Sequence, residues 1–238
     1  MKAIILAGGK GTRLAPYTTV FPKPLVPLGH RPIIDIIVHQ LAHYGFTDVT
    51  MTVGPLSELI QAYFHHANGI TERMKFSYVK ETKPTGTVGS LSAVNGLNET
   101  FLVMNGDVLT TLDYAKLIAY HKEKGGLLTV GMHKKNVKID FGVIEVDENF
   151  QIMNYQEKPE NSYPVSMGVY VFEPEVLKYI QPGEYLDFPV LVERLLEKGE
   201  KVVGYPCEDF WLDIGCHEDY QKAQDIYESM KDKFLPSK

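Results

Sequence analysis

A glycine-rich loop near the start of the chain carries the residue types best suited to hold phosphate. The loop, Leu6-Ala7-Gly8-Gly9-Lys10-Gly11-Thr12-Arg13-Leu14, follows the apolar run at residues 1–5 and is closed by Phe21-Pro22-Lys23-Pro24-Leu25. Glycine lets backbone N–H groups approach an anion closely, and Arg13 and Lys23 supply fixed positive charge. Because the apolar run is typical of a buried strand, the pattern predicts a nucleoside triphosphate site in the loop that follows this strand.

Two common phosphate-binding motifs do not describe this loop. A Walker A loop has lysine and then Ser or Thr after its last glycine, whereas Gly11 is followed by Thr12-Arg13. A dinucleotide fingerprint has three glycines and an acidic residue at a strand end about 20 positions later. Here Gly11 is followed by Leu14 in place of the third glycine, and the nearest downstream acid, Asp35, falls in a helical pattern.

The loop instead resembles the signature of the sugar-1-phosphate nucleotidyltransferases, also called NDP-sugar pyrophosphorylases. The matching residues are Gly11-Thr12-Arg13-Leu14, Pro16, Thr18 and Pro22-Lys23-Pro24-Leu25. The resemblance implies a Mg²⁺-dependent transferase that converts an NTP and a sugar 1-phosphate into an NDP-sugar and pyrophosphate, within cytoplasmic nucleotide-sugar and polysaccharide biosynthesis. It also implies two catalytic residues, with Arg13 on the leaving β,γ-phosphates and Lys23 near the α-phosphate.

Two aspartates are candidate metal ligands. Asn105-Gly106-Asp107 follows the buried strand predicted at residues 101–104, and ligands of open α/β sheets gather at the carboxyl ends of strands. By itself this triplet is more typical of an Asx-turn or of a helix cap at a strand end. Asp213, in Trp211-Leu212-Asp213-Ile214-Gly215, could cap the helix that follows. The resemblance implies that both aspartates hold Mg²⁺.

The second half of the chain carries motifs that resemble the family's sugar-phosphate pocket. These motifs are Phe141-Gly142-Val143-Ile144 and Glu157-Lys158-Pro159, although Glu-Lys-Pro is also common in surface turns. Lys158 would bind the acceptor's phosphate, and Glu157 would accept hydrogen bonds from sugar hydroxyls. Ser166 and Gly168 stand where relatives show Asn-x-Gly. Serine has a shorter reach than asparagine, so the identity of the acceptor stays open. Mannose, glucosamine and heptose 1-phosphates and other phosphorylated acceptors are all compatible with the sequence.

Glu81 is the candidate for recognition of the base. It directly follows the strand predicted at residues 75–80. A carboxylate only accepts hydrogen bonds, and guanine alone among the usual bases offers two adjacent donors on its pairing edge. Glu81 with Gly86-Thr87-x-Gly89 resembles the guanylyltransferase branch, so GTP is the favoured donor, although Glu81 could also be a solvated strand end. Cytidylyl, uridylyl or thymidylyl transfer and a catalytically silent sensor are the alternatives. The predicted nucleotide-binding residues are Leu6, Ala7, Gly8, Gly9, Gly11, Thr12, Arg13, Lys23, Glu81, Pro84, Gly86, Thr87, Asn105 and Asp107.

The elements that position these residues alternate between strand and helix in the first half. This pattern predicts an α/β fold, with a three-layer, Rossmann-like, mixed but mainly parallel sheet and helices on both faces. Further strands at 127–133, 141–147, 151–156 and 165–172 predict an antiparallel or mixed extension. The predicted helices lie at residues 32–45, 56–66, 88–94, 188–198 and 218–231, and the remaining strands at 48–53 and 201–205.

Length and composition predict one domain. The resemblance implies that residues 1–125 mainly bind the NTP and residues 126–238 the sugar phosphate, and we expect no appended β-helix domain of the kind many relatives carry. The net charge of −6 without a basic run argues against nucleic acid, and no apolar run approaches a membrane span. Two cysteines and four paired histidines stand outside metal-ligand patterns. The oligomeric state is left open, and a homodimer is compatible with the sequence.

Overall fold

The computed structural model describes residues 1–66, 69–70 and 72–235, and the elements below lie within them. The strands are β1 Lys2–Ala7, β2 Pro27–Leu28, β3 Arg31–Pro32, β4 Asp48–Val53, β5 Lys75–Lys80, β6 Phe101–Asn105, β7 Val108–Thr110, β8 Leu128–Lys138, β9 Val143–Val146, β10 Ile152–Gln156, β11 Glu160–Phe172, β12 Val202–Cys207 and β13 Trp211–Asp213. The α-helices are α1 Ile33–His43, α2 Ser57–His66, α3 Tyr114–Lys124, α4 Phe188–Glu197 and α5 His217–Phe234.

Seven strands form the central sheet in the order β12-β8-β11-β6-β1-β4-β5. Neighbouring strands run parallel except at β11, which is antiparallel to both β6 and β8. The prediction of a mixed, mainly parallel sheet is therefore confirmed. The strand bounds predicted at 48–53 and 75–80 are reproduced residue for residue.

Strand β1 shows why the fold has three layers. Its side chains alternate between two cores, with Ala3, Ile5 and Ala7 facing one and Ile4 facing the other. Helices α1, α2, α3 and α5 contribute to the first core, and α4 contributes to the second together with two 3₁₀ segments, Gly89–Ala93 and Pro174–Tyr179. Both faces of the sheet are covered, as a buried parallel sheet requires. None of the helices in the described part of the chain is long and apolar enough to cross a membrane.

Two helix assignments need correction. The helix predicted at residues 88–94 is instead the short 3₁₀ segment Gly89–Ala93, since glycine and serine favour the α-helix weakly and the chain packs tightly here. A Cβ on Gly89 would lie 2.6 Å from the carbonyl oxygen of Glu184. Helix α3 was not predicted. Both of its ends are nonetheless capped, because Asp113 accepts a hydrogen bond from Lys116 N at 3.0 Å and left-handed Gly125 ends the helix.

An antiparallel ribbon extends beyond the central sheet. Strands β8 and β11 remain paired out to Lys138 and Glu160, and Ile139 N donates to Pro159 O at 3.0 Å. The ribbon continues as the separate antiparallel pair β9–β10. We call residues 134–164 the hairpin arm.

Candidate active site

A cavity of about 570 Å³ opens at the carboxyl ends of β1, β4, β5 and β6. This is the edge at which ligands of open α/β sheets bind. Eleven of the fourteen residues predicted to bind nucleotide line it: Leu6, Ala7, Gly8, Gly9, Lys23, Glu81, Pro84, Gly86, Thr87, Asn105 and Asp107. The described residues that line the cavity do not include Gly11, Thr12 and Arg13.

Close packing explains two glycines of the opening loop. A Cβ on Gly8 would lie 2.5 Å from Glu81 Oε1, so the absence of a side chain lets the loop lie against this carboxylate. Gly11 has a φ of 61°, and a Cβ there would lie 2.9 Å from Thr18 Cγ2. Thr18 Oγ1 also donates to Gly11 O at 2.7 Å. The loop is therefore held in one shape before any ligand binds.

Glu81 forms part of the cavity wall opposite Gly8. Its backbone N–H continues the β4–β5 pairing by donating to Val53 O at 2.8 Å. Burial raises the pKa of the Glu81 carboxyl, and the neighbouring Thr85 opposes part of that rise. A half-buried carboxyl at this position can accept two hydrogen bonds when ionised and gains a donor when protonated.

The loop at residues 85–89 is fixed by the segment that leads into α4. Leu186 N donates to Thr85 O at 2.9 Å, and Val88 N donates to Leu186 O at 3.0 Å. Both the N–H and the hydroxyl of Thr87 donate to Asp187 Oδ1 at 3.1 Å. The hydroxyl of Thr87 is thus engaged within the protein. Gly86 has a φ of 73°, and a Cβ there would lie 2.5 Å from Leu186 O.

Lys23, Asp107 and Asp213 form the charged end of the site. Lys23 Nζ makes a direct ion pair with Asp107 Oδ2, and the lysine is largely buried. The pairing of β13 with β7 places Asp213 opposite Val108, and Ile214 N donates to Asp107 O at 3.1 Å. Burial raises the pKa of Asp213, repulsion from Asp107 raises it further, and Lys23 and Arg13 oppose the rise. The structure therefore brings together two aspartates that lie 106 positions apart in the chain.

Arg13 reaches this centre from the side of the C-terminal motif. A Cβ on Gly215 would lie 3.3 Å from Arg13 Nη2 and 3.5 Å from Asp213 Oδ2, so the guanidinium and the carboxylate flank the same glycine. Helix α5 fixes the segment after Arg13, because Tyr17 packs against the rings of His217 and Tyr220. Arg13 is exposed and leaves its charge available to a ligand.

Ser166 and Gly168 lie beside the same centre. They belong to an irregular part of β11, where the register with β8 shifts between Ser166 and Tyr170. A Cβ on Gly168 would lie 2.6 Å from Asn105 Nδ2, while Asn105 Oδ1 is buried and has no hydrogen-bond partner among the described residues. Ser166 Oγ donates to the Tyr170 hydroxyl at 3.2 Å. An unpartnered buried oxygen in a cavity wall is a natural contact for a ligand donor.

The other three predicted acceptor residues lie on the hairpin arm. Gly142 packs directly against the Tyr155 side chain, and Glu157 accepts a hydrogen bond from the Tyr155 hydroxyl at 2.8 Å. Lys158 has a φ of 45° and is exposed. None of the three belongs to the described lining of the cavity. Their assignment to an acceptor site stays a prediction.

Several cavity residues were absent from the predicted set. Lys10, Thr52, Gly54 and Pro55 could have been found, since Lys10 belongs to the opening loop and the other three end or follow β4 next to β1. No sequence motif marks Tyr185 and Asp187 as cavity residues. They belong to the other half of the chain, and the contact with residues 85–89 places them in the cavity wall. The remaining members are Pro24, Thr82, Lys83, Thr85 and Gly106.

The acidic residues fit a divalent cation that is also held by substrate. In the described part of the chain, no three His, Cys, Asp or Glu side chains come together as a ready-made metal site. Asp107 and Asp213 offer two carboxylates whose mutual repulsion a cation would relieve. Magnesium is commonly bound by one or two carboxylates, water and substrate phosphates. The donor set thus fits Mg²⁺ brought to the site with a nucleotide.

Comparison with known proteins finds a matching family and similar sequences. The family model described as nucleotidyl transferase matches residues 2–230. The chain is 32% identical over 94% of its length to a UTP–glucose-1-phosphate uridylyltransferase of Synechocystis. It is 33% identical over 98% of its length to the catalytic subunit beta of a mannose-1-phosphate guanylyltransferase of Dictyostelium discoideum. The chain spans only 62% and 66% of the lengths of these two relatives.

A solved structure shares the fold. A candidate glucose-1-phosphate thymidylyltransferase from Bacillus anthracis superposes with a TM-score of 0.74 at 25% identity, with 95% of this chain and 94% of the other covered. The similar proteins thus differ in the nucleotide that their names give. They agree on a sugar 1-phosphate as the other substrate.

Proposed function

The chain belongs to the sugar-1-phosphate nucleotidyltransferase family, and we propose that the protein transfers a nucleotidyl group from an NTP to a sugar 1-phosphate, with release of pyrophosphate. One observation carries the proposal most directly. The glycine loop, the Lys23–Asp107 pair and Glu81 line one cavity at the carboxyl ends of the parallel strands. The groups proposed to bind phosphate, neutralise charge and recognise the base thus line a single ligand-sized space.

The chemistry requires positioning and charge neutralisation. A phosphate oxygen of the acceptor attacks the α-phosphorus in line with the departing pyrophosphate, so no nucleophilic side chain is needed. Lys23 would neutralise charge near the α-phosphate and Arg13 would hold the departing phosphates, since Lys23 pairs with Asp107 and Arg13 lies next to Gly215 together with Asp213. Asp107 and Asp213 would hold Mg²⁺, which when bound neutralises phosphate charge.

We propose GTP as the preferred donor because Glu81 is a carboxylate in the wall of the cavity. Ionised, it accepts hydrogen bonds from the two adjacent donors of guanine. A specific observation favours uridylyl transfer as the second candidate. Burial raises the pKa of Glu81, and a protonated carboxyl both donates and accepts, as uracil requires. The similarity to a uridylyltransferase points the same way.

We propose that the acceptor binds between the cavity and the hairpin arm. Ser166 and Gly168 lie beside Asn105, and Lys158 lies on the arm that continues from β11. The proposed acceptor is a sugar 1-phosphate of the mannose, glucosamine or heptose type. These are acceptors of the guanylyltransferase branch that the sequence resembles.

The proposal is tested by measuring pyrophosphate release for each of the four NTPs with each of a panel of sugar 1-phosphates. We expect activity with Mg²⁺ and a sugar 1-phosphate, and the highest kcat/KM with GTP. Higher kcat/KM with UTP for every acceptor would replace the guanylyl assignment and leave the reaction class standing. Nucleotide binding without pyrophosphate release for any pair would instead identify a silent sensor.

A further inference from the structure

Three side chains from adjacent strands form the floor of the nucleotide cavity. Leu6 of β1 stands in register with Asn105 of β6 on one side and with Thr52 of β4 on the other. Neighbours in register point to the same face of a sheet, and all three residues line the cavity. We call Asn105, Leu6 and Thr52 the cavity floor. It is apolar in the middle and polar at both ends.

Thr52 brings to this floor a hydroxyl without a partner. The residue is 1% exposed, and its Oγ1 is buried and has no hydrogen-bond partner among the described residues. A buried hydroxyl without a partner costs free energy, and valine would fill nearly the same space without that cost. Rotation between staggered χ1 rotamers exchanges the methyl and hydroxyl groups, so the hydroxyl can turn towards the cavity. A ligand acceptor at this point would supply the missing partner.

Glu81 stands at the same end of the cavity as Thr52. A Cβ on Gly8 would lie 2.5 Å from Glu81 Oε1, and a Cβ on Gly54 would lie 2.7 Å from Gly8 O, so the segments that follow β1, β4 and β5 meet beyond the end of β4. Because Thr52 precedes Gly54 by two residues, the Glu81 carboxylate lies roughly 7 Å beyond Thr52 along the strand direction. The two side chains point to the same face, since Thr52 is in register with Val79, two residues before Glu81.

The other end of the cavity floor belongs to a different part of a nucleotide. Asn105 lies two strands from Thr52, about 10 Å across the sheet. It also comes two residues before Asp107, which pairs with Lys23. The charged groups proposed to bind phosphate are therefore at the Asn105 end. Thr52 lies at the end of Glu81, where the base is proposed to bind.

We propose that Thr52 is a specificity-determining residue, whose hydroxyl donates to the base carbonyl oxygen next to the ring N–H that Glu81 accepts. This role rests on the proposed nucleotidyl transfer and adds a second contact to the base. Guanine and uracil both carry an N–H next to a C=O on the pairing edge, whereas adenine and cytosine carry an amino group next to an unprotonated ring nitrogen. A carbonyl oxygen accepts on two sides, so one such base can bridge the gap between the two residues. Thr52 and Glu81 together would select bases that carry this N–H and C=O pair.

The first test compares Thr52→Val with Thr50→Val. Thr50 is the matched control, since it points to the same face of β4 and its hydroxyl is likewise buried without a partner among the described residues. Thr50 is not among the described residues that line the cavity. Both variants are expected to keep or raise the Tm of the unliganded protein, because each removes an unpartnered hydroxyl.

Only Thr52→Val is expected to weaken nucleotide binding. Its Kd for GTP with Mg²⁺ should rise about 10-fold in titration calorimetry without acceptor. An unchanged Kd for Thr52→Val or an equal rise for Thr50→Val would overturn the proposal. A rise that comes with a lower Tm would also overturn it, because a structural defect would then explain the loss.

The second test changes the base instead of the protein. Thioguanosine triphosphate keeps the ring N–H and the amino group of GTP but replaces the carbonyl oxygen with sulfur, a weaker acceptor. The wild type is expected to bind GTP about 10-fold more tightly than this analogue, and Thr52→Val is expected to bind both equally. An undiminished preference in Thr52→Val, or a loss of affinity by the same factor for all four NTPs, would contradict a contact with the base carbonyl.

These affinities separate the role of Thr52 from the proposed reaction. Binding is measured without acceptor, so it reports on Thr52 even when no combination of NTP and acceptor releases pyrophosphate. Pyrophosphate release with an unchanged Kd for Thr52→Val would overturn the role of Thr52 and leave the transfer reaction standing. A protein that binds none of the four NTPs would overturn both.

Discussion

Lys23 combines burial with a direct ion pair to Asp107, which places its charge at a fixed point of the cavity wall. A preorganised charge at a phosphoryl centre typically contributes about 10²–10³ in rate. Lys23→Ala should therefore lower kcat by about that factor in the pyrophosphate-release assay while the far-UV circular dichroism stays native. Lys80→Ala is the control, since Lys80 is an exposed lysine that pairs with Glu58 and is not among the described residues lining the cavity. Near-wild-type turnover of Lys23→Ala would remove Lys23 from the catalytic assignment.

Asp107 and Asp213 should act as one unit if both hold the same Mg²⁺. Asp107→Asn and Asp213→Asn should each raise the Mg²⁺ concentration for half-maximal rate by roughly tenfold or more, because an amide oxygen is a weaker ligand for a hard cation. The double variant should be about as impaired as the worse single variant, since residues acting as a unit are not additive. Fully multiplicative losses in a Mg²⁺ titration would assign the two aspartates to separate roles.

Glu81 makes the choice of base depend on pH. Its pKa is raised by burial, so protonation begins at higher pH than for an exposed glutamate. The ionised form suits guanine, whereas the protonated form resembles glutamine. We therefore expect the ratio of kcat/KM for GTP to that for UTP to fall as the pH falls towards the raised pKa. Glu81→Gln should lower the ratio by about 10- to 100-fold at neutral pH and abolish its pH dependence. A ratio that is equally pH-dependent in the variant would exclude Glu81 as the cause.

At the scale of elements, the contact between residues 85–89 and the segment before α4 shapes the cavity. Gly86→Ala should both destabilise the protein and raise the KM for the nucleotide, because a Cβ at Gly86 would lie 2.5 Å from Leu186 O. Gly45→Ala is the matched control, since Gly45 has a similar φ of 80° but nothing within 4 Å of the added atom. Chemical denaturation and steady-state kinetics should show the backbone strain of about 1 kcal/mol in both variants and the KM effect in Gly86→Ala alone. An unchanged KM in Gly86→Ala would show that this contact does not shape the nucleotide site.

The local sequence pattern was sufficient to predict most helices and strands. It was not sufficient to predict the contacts between them. Strands β4 and β5 are predictable because β-branched and aromatic residues occur in short runs with clear boundaries. The segment Gly89–Ala93 was misassigned because its geometry depends on packing against Glu184, nearly 100 residues away. Helix α3 was missed although its capping signals were present in the sequence.

The residues of the site also divide into those marked by local sequence signals and those placed by contacts between distant segments. The opening loop and Asp107 were predictable because glycine, charge and strand ends carry local signals. Tyr185 and Asp187 were not, since only the hydrogen bonds from Leu186 and to Asp187 bring that segment to the cavity. The placement of Gly142, Glu157 and Lys158, which are predicted to bind the acceptor, on the exposed hairpin arm was likewise not predictable, because the path of the ribbon depends on pairing between β8 and β11.

At the scale of the whole molecule, both halves of the chain contribute to each of the two cores and to one cavity. The larger core contains residues from Ala3 to Phe234, and the cavity combines the opening loop with Tyr185 and Asp187. Trp211, the single tryptophan, lies near the charged end of the site and donates from Nε1 to Met167 O at 2.8 Å. Its fluorescence therefore reports on the second half of the chain, whereas far-UV circular dichroism reports on the whole.

We expect the two halves of the chain to unfold together in one cooperative transition. Bound nucleotide should stabilise both halves equally against unfolding. Trp211 fluorescence and circular dichroism should give the same Tm, as two-state unfolding requires. Mg²⁺ with GTP at about 100 times its Kd should add about 2.7 kcal/mol to the free energy of unfolding. For a chain of this length that corresponds to a rise in Tm of about 5–10 °C, equal for both signals. The Asp107→Asn variant serves as the control, with a smaller rise at the same ligand concentrations. Two separate transitions, or a shift confined to one signal, would show instead that residues 1–125 and 126–238 unfold as distinct domains.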